Sequence, residues 1–153
     1  MMLRWLLASV HLLALGVGLG AVWARGRGLQ SKLDSKGLQQ VFRADGWWGA
    51  AAFLWISTGL WRLLGGLEKG TTYYLHNHLF LTKMALLVAV LVLEVWPMVT
   101  LIRWRRHAAA GTAVDLTAAH RMANISFVQA GLVVLMVFAA TAMARGMGAP
   151  AAR

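Results

Sequence analysis

Apolar residues in this chain gather into four long runs that are separated by shorter polar stretches. A helix needs roughly 20 mainly apolar residues to cross the hydrocarbon core of a membrane, and the four runs reach or approach that length. They lack the polar–apolar alternation of a membrane β-barrel, and in lipid a helix satisfies its own backbone polar groups. The pattern therefore predicts an all-α integral membrane four-helix bundle, with residues 1–153 forming a single transmembrane domain. The predicted spans cover about residues 3–24, 46–64, 79–102 and 122–144.

The first apolar run has some features of a cleaved export signal. Arg4 precedes it, and Val22-Trp23-Ala24 resembles a cleavage site. Its apolar stretch is longer than the about 7–15 residues typical of such a signal, and Arg25 and Arg27 follow at once. We therefore interpret the run as a retained transmembrane helix.

Composition narrows the class of protein. Hydrophobic residues make up 59% of the 153 residues and charged residues only 13%, yet the formal net charge is +10. A soluble domain averages about 25% charged residues, and so apolar a chain is not typical of a nucleic-acid-binding arm or a disordered basic tail. The sequence contains no cysteine, which excludes disulfides, thiolate metal sites and covalent c-type haem attachment.

Basic residues are distributed unequally between the two ends of the predicted bundle. Nine of the 15 lysines and arginines lie at one end, namely Arg25, Arg27, Lys32, Lys36, Arg43, Arg103, Arg105, Arg106 and Arg121. Five lie at the other end, namely Arg4, Arg62, Lys69, Arg145 and Arg153. Because an excess of Lys and Arg in short loops marks the cytoplasmic side, we expect a multi-pass protein of a bacterial inner membrane with both termini outside.

Three ionisable residues of the outer half are candidates for binding a cofactor. His11 is either a haem or metal ligand, since neutral imidazole is the commonest such ligand, or a histidine hydrogen-bonded to another helix. A lysine inside a span costs about 2.5–3.5 kcal/mol on insertion scales. Lys83 therefore either extends its stem to the headgroups or serves as a ligand, a proton donor or a partner for a carboxylate. Arg62 ends the second span, where it reaches the headgroups or meets an anionic group near His11 and Lys83.

Two further histidines, His76 and His78, lie at the outer mouth of the predicted bundle. Residues two apart diverge on a helix but lie on the same side of an extended segment. With His11 and the thioethers of nearby methionines, these imidazoles could form a copper site. The alternative is a pair of solvated histidines in a loop.

The inner half of the predicted bundle offers fewer ligands. Glu94, followed by Pro97, indicates either a polar-lined cavity beside a kinked helix or an interfacial carboxylate. We interpret Asp45 as the N-cap of the second helix. His120 lies at the opposite end of the bundle from His11, so the sequence favours one haem site in the outer half over a chain of two haems.

Several motifs together resemble an uncharacterised family of small bacterial membrane proteins. They are His11 in the first span, Thr58-Gly59, Asn77-x-x-Phe80-x-x-Lys83, Pro97, Thr100 and Arg103-Trp104-Arg105-Arg106. In layout the chain is also similar to the copper-resistance protein D superfamily and to the J-type protoporphyrinogen oxidase. In that oxidase a histidine of the first helix and a lysine near the start of a later helix are associated with b-type haem and activity. The resemblance implies those roles for His11 and Lys83.

Three functions are compatible with the sequence. The first is a haem b protein acting in electron transfer or as an oxidoreductase on porphyrinogens, with His11 as axial ligand, Lys83 as second ligand or propionate partner, and Arg62 as propionate partner. The second is the handling of copper or another metal through His76 and His78. The third is an accessory subunit of a larger membrane complex with no chemistry of its own. The sequence is also compatible with a redox partner and with a homo-oligomer.

Overall fold

A computed structural model describes residues 2–65 and 77–148, and within these residues the chain is helical and contains no strand. The all-α architecture predicted from the sequence is therefore confirmed. The four long helices are α1 (Met2–Gln30), α2 (Ser35–Leu64), α3 (His78–Ala109) and α4 (Ala119–Ala144).

The second helix begins well before its apolar run. Asp34 is its N-cap, and the Asp34 carboxylate accepts a hydrogen bond from the Gly37 N–H at 2.9 Å. The prediction that Asp45 caps this helix is therefore wrong, because the polar residues before Trp47 continue the helix rather than ending it. Asn77 caps α3 in the same way, accepting from the Leu79 N–H at 2.9 Å.

Three helices of the described chain are long and apolar enough to cross a membrane, namely α1, α3 and α4. The sequence predicted four such spans. The second helix is not among the three because its first half is polar, with Lys36, Arg43 and Asp45, and its apolar half is short. A membrane crossing by α2 and the outward orientation of both termini stay predictions.

Neighbouring helices run antiparallel. The first helix packs along α2 and α4, and α4 packs along α3. We call the end at which α1 and α3 begin the cleft end, and the opposite end the network end. Between the two ends lies a layer of apolar side chains, the middle layer, formed by Val22, Trp48, Trp55, Val90, Val133 and Met136. A second apolar cluster at the network end includes Leu29, Val41, Leu101, Trp104 and Met122.

Candidate functional site

All four helices contribute to a cleft of about 640 Å³ at the cleft end of the bundle. The three residues that the sequence singled out for cofactor binding, His11, Arg62 and Lys83, all line it. Helix direction explains their meeting, since α1 and α3 begin where α2 ends. Their role as ligands stays a prediction, while their common location is a property of the fold.

His11 is held by a hydrogen bond that fixes its tautomer. Its Nδ1 lies 3.0 Å from the Thr58 hydroxyl oxygen, and that hydroxyl in turn lies 2.6 Å from the Leu54 carbonyl oxygen. A carbonyl only accepts, so the single hydroxyl proton of Thr58 goes to Leu54, and His11 Nδ1 must be the donor. The lone pair of the neutral ring is therefore on Nε2, the arrangement found in histidines that bind metals.

Trp55 lies beside His11, and its ring carries one buried polar atom, the indole Nε1. The two rings have centroids 5.9 Å apart and are tilted by 36°. Trp55 is only 6% exposed, and its indole Nε1 makes no hydrogen bond with any part of the chain that the structure describes. A buried N–H without an acceptor costs about 1–3 kcal/mol, so this indole destabilises its surroundings beside His11.

The remaining walls of the cleft are mostly apolar, with Phe80, Met136 and Met143 among them. Arg62 and Lys83 supply positive charge, and none of the described residues that line the cleft is acidic. Gly59 lies directly against the imidazole, since a Cβ built on it would stand 3.1 Å from His11 Cε1. The cleft therefore combines apolar walls with two cationic side chains and one imidazole.

A second polar region, which we call the Arg25 network, lies deeper and toward the network end. The Arg25 side chain is fully buried, and it forms a two-point ion pair with Glu94, with N–O distances of 2.7 and 2.9 Å. It also donates to Asp45 at 2.8 Å, Gln129 at 2.8 Å and Ser126 at 3.1 Å. All five N–H groups of the guanidinium thus have an acceptor, drawn from the three other helices.

Further contacts close this network. The Gln129 amide donates to the Glu94 carboxylate at 2.8 Å and to the Val90 carbonyl at 3.2 Å. Arg105 donates to Asp45 at 2.8 Å and to the Phe42 carbonyl at 2.9 Å. The two arginines and two carboxylates balance in charge. Glu94, which the sequence indicated as a cavity-lining or interfacial carboxylate, is the ion-pair partner of the buried Arg25.

The middle layer separates the two polar regions. Val90 precedes Glu94 by one helical turn and Val133 follows Gln129 by one turn, and both valines are buried. No hydrogen bond among residues 2–65 and 77–148 connects the Arg25 network with the cleft. Each region therefore has to be assigned a role of its own.

The histidine pair proposed for copper is only partly described. His78 is the first residue of α3 and is exposed, whereas His76 lies outside the described residues. Over residues 2–65 and 77–148, no three His, Cys, Asp or Glu side chains lie close enough together to hold a metal ion. His120 and His107 lie on the exposed surface of the network end. A copper site at His76 and His78 stays a prediction.

Sequence reasoning missed the inward direction of Arg25 and the part played by Gln129. Arg25 follows Trp23 at the end of an apolar run, where it reads as a loop cation. Gln129 is an amide well inside the uncharged fourth span. An amide at that depth needs a partner, and this was the signal in the sequence that pointed to a polar contact between helices.

A helical bundle with three helices able to cross a membrane, a cationic cleft and a buried ion network defines an integral membrane protein of the α-helical class. The chain belongs to the family described as predicted membrane protein (DUF2214), whose profile matches residues 3–148. No curated protein and no solved structure matches the chain. Membership of an uncharacterised membrane family is thus confirmed, whereas the resemblance to the copper-resistance protein D superfamily and to the J-type oxidase finds no support in these comparisons.

Proposed function

We propose that the cleft binds one b-type haem and that the protein acts in redox chemistry, either electron transfer or porphyrinogen oxidation. The observation that carries this proposal is the state of His11. Thr58 fixes its Nδ1 as a donor, so Nε2 is the nitrogen that would ligate iron. The same cleft contains two cationic side chains, Arg62 and Lys83.

The residues of the cleft fit a haem in size and chemistry. A volume of about 640 Å³ is within the range of roughly 300–1,000 Å³ typical of cofactor and ligand sites. Trp55, Phe80 and Met136 offer an apolar wall for a macrocycle. Arg62 and Lys83 offer charged donors for its two propionates, and a guanidinium binds a carboxylate through two parallel hydrogen bonds.

Haem, when bound, supplies the one-electron chemistry of its iron. The chain's own contribution is to hold and insulate the group. Thr58 orients His11, and Lys83 serves as a second ligand or a propionate partner. The middle layer excludes water from the inner side of the cleft, which favours a low local dielectric.

We also infer that the protein lies in the inner membrane of a bacterium with the cleft end outward, because nine basic residues precede or follow the spans at the network end. The cleft then opens near the outer leaflet. A redox partner, a larger complex or a second copy of the chain would approach it from that side.

The test is the visible spectrum of the protein purified from haem-replete cells. The expected result is a Soret band that His11→Ala abolishes. His120→Ala is the matched control, because His120 is an exposed histidine at the other end of the bundle, and it should keep the band.

Loss of the band has a second explanation, which is misfolding of the variant. Circular dichroism and size-exclusion chromatography of His11→Ala distinguish the two, since a folded, colourless variant supports the ligand role. Colourless wild-type protein, or a band that survives in folded His11→Ala, would refute the proposal.

A further inference from the structure

A second depression, of about 400 Å³, lies between α1 and α2 toward the network end, and we call it the α1–α2 groove. It is separate from the cleft and shares no lining residue with it. It is lined by Val17, Ala21 and Ala24 from α1 and by Gln40, Arg43, Ala44 and Trp47 from α2.

Helical spacing creates the groove. Val17, Ala21 and Ala24 are three or four residues apart, so they lie on one face of α1. Gly20 lies on the same face, and a Cβ built on it would meet no atom within 4 Å. Small side chains thus leave room along α1, while Trp47, which is 60% exposed, forms a wall from α2. The result is an apolar channel on the outer surface of the bundle.

One end of this channel is cationic. Arg43 is exposed, and its guanidinium forms no hydrogen bond or ion pair with residues 2–65 or 77–148. It precedes Trp47 by about one turn, and Trp47 begins the apolar part of α2. Arg27, also exposed, follows Ala24 by about one turn on the same face of α1. Positive charge therefore lies where the apolar surface ends, which is where lipid headgroups would meet an inserted bundle.

We propose that the α1–α2 groove is a binding site for one anionic phospholipid. Its phosphate binds the Arg43 guanidinium, whose planar donors match a phosphate, and Gln40 lies beside it. An acyl chain lies over Ala21 and Ala24 against the face of Trp47. A phospholipid is the occupant because the groove joins a cation to an apolar channel on the surface that a bundle presents to the bilayer. The site is independent of any haem in the cleft.

The experiment is native mass spectrometry of the full chain in detergent with added dioleoyl phosphatidylglycerol or dioleoyl phosphatidylcholine. The two probes share acyl chains and differ in net charge. We expect one molecule of phosphatidylglycerol to bind per chain, and to bind with higher affinity than phosphatidylcholine. Arg43→Gln should weaken phosphatidylglycerol binding about fivefold, because a basic residue near the surface contributes about 1 kcal/mol toward anionic lipid.

Arg103→Gln is the matched control, since Arg103 is an exposed arginine of α3 that does not line the groove. It should leave the affinity unchanged. Ala24→Phe fills the groove while keeping Arg43, and it should weaken binding of both lipids. Equal retention of the two lipids, or an equal loss in Arg43→Gln and Arg103→Gln, would overturn the proposal in favour of diffuse surface charge.

Discussion

The cleft and the Arg25 network are both polar regions inside an apolar bundle, but the cleft encloses an open volume whereas the network is filled by side chains. In the network every donor of Arg25 has an acceptor from the chain itself. The cleft instead encloses a volume of about 640 Å³, with His11, Arg62 and Lys83 among its lining residues. A network filled by side chains of the protein holds helices together, whereas an open cleft has room for a ligand.

The energetics of the Arg25 network follow from the pairing of its buried charges. A buried charge pair contributes little when compared with apolar residues of the same shape, but removing one member leaves the other uncompensated. Arg25 binds groups on α2, α3 and α4 at once, so its contacts fix how these helices pack around α1. We therefore expect the network to fix how the helices pack, while the proposed ligand-binding role belongs to the cleft, and variants in each region test that division.

The largest expected effect is that of Arg25→Met. This change removes the partner of Glu94 and one partner of Asp45, and it should lower the free energy of unfolding by about 3–5 kcal/mol. Arg27→Met is the matched control, since Arg27 is an exposed arginine two residues away. Thermal or denaturant unfolding in detergent measures both, and equal stabilities of the two variants would contradict the structural role.

The double variant Arg25→Met with Glu94→Leu shows whether the loss comes from an unpaired charge. Asp45 keeps Arg105 as its partner at 2.8 Å, so the double variant leaves no described carboxylate of the network without a cation. It should be more stable than Arg25→Met alone, and its loss of stability should fall short of the sum of the two single losses by about 0.5–3 kcal/mol. A double variant that is less stable than either single variant would show that packing, not charge, dominates.

A smaller effect is expected in the cleft from Thr58→Val. The change removes the acceptor of His11 Nδ1 with little change of shape, and it should cost about 1 kcal/mol of stability. If the cleft binds haem through His11, removal of the Thr58 hydrogen bond that orients the imidazole should also weaken haem retention roughly 10–100-fold. Haem transfer to apomyoglobin, followed by absorbance, measures that retention.

Thr141→Val is the control for Thr58→Val. Thr141 also lines the cleft, but its described hydrogen bonds are to the Val137 and Phe138 carbonyls of its own helix. It should leave the haem spectrum and its retention unchanged. An equal effect of the two threonine variants would show that haem retention does not depend on the hydrogen bond between Thr58 and His11.

Comparison with the structure shows which features the sequence predicts and which it does not. Four apolar runs predicted four helices, because length and apolarity are enough to identify a helix in lipid. They did not predict where α2 begins, since Lys36 and Asp45 are compatible with a helix that extends beyond the membrane. The apolar surface of α2 begins at Trp47, whereas the helix itself begins after its N-cap, Asp34.

For the polar residues, the sequence predicts the depth along each span but not the direction in which a side chain points. Counting residues along each span placed His11, Arg62 and Lys83 at one level, and the structure places them around one cleft. Sequence position alone assigns Arg25 to the loop cations, because it does not show whether a side chain points into the bundle or away from it. Its direction depends on Glu94 and Gln129, which belong to helices far away in the sequence.

The smallest expected effect, that of Gly59→Ala, tests how closely the chain packs against His11. In a helix alanine is favoured over glycine by about 0.8–1.0 kcal/mol. At Gly59 the new Cβ would stand 3.1 Å from His11 Cε1, so the ring has to move by a few tenths of an ångström. At Gly49, in the same helix, a Cβ meets no atom within 4 Å. Gly49→Ala should therefore raise the melting temperature more than Gly59→Ala does, and only Gly59→Ala should alter a haem spectrum. Equal gains in melting temperature would mean that the imidazole moves freely, and Thr58 would then not fix it in place.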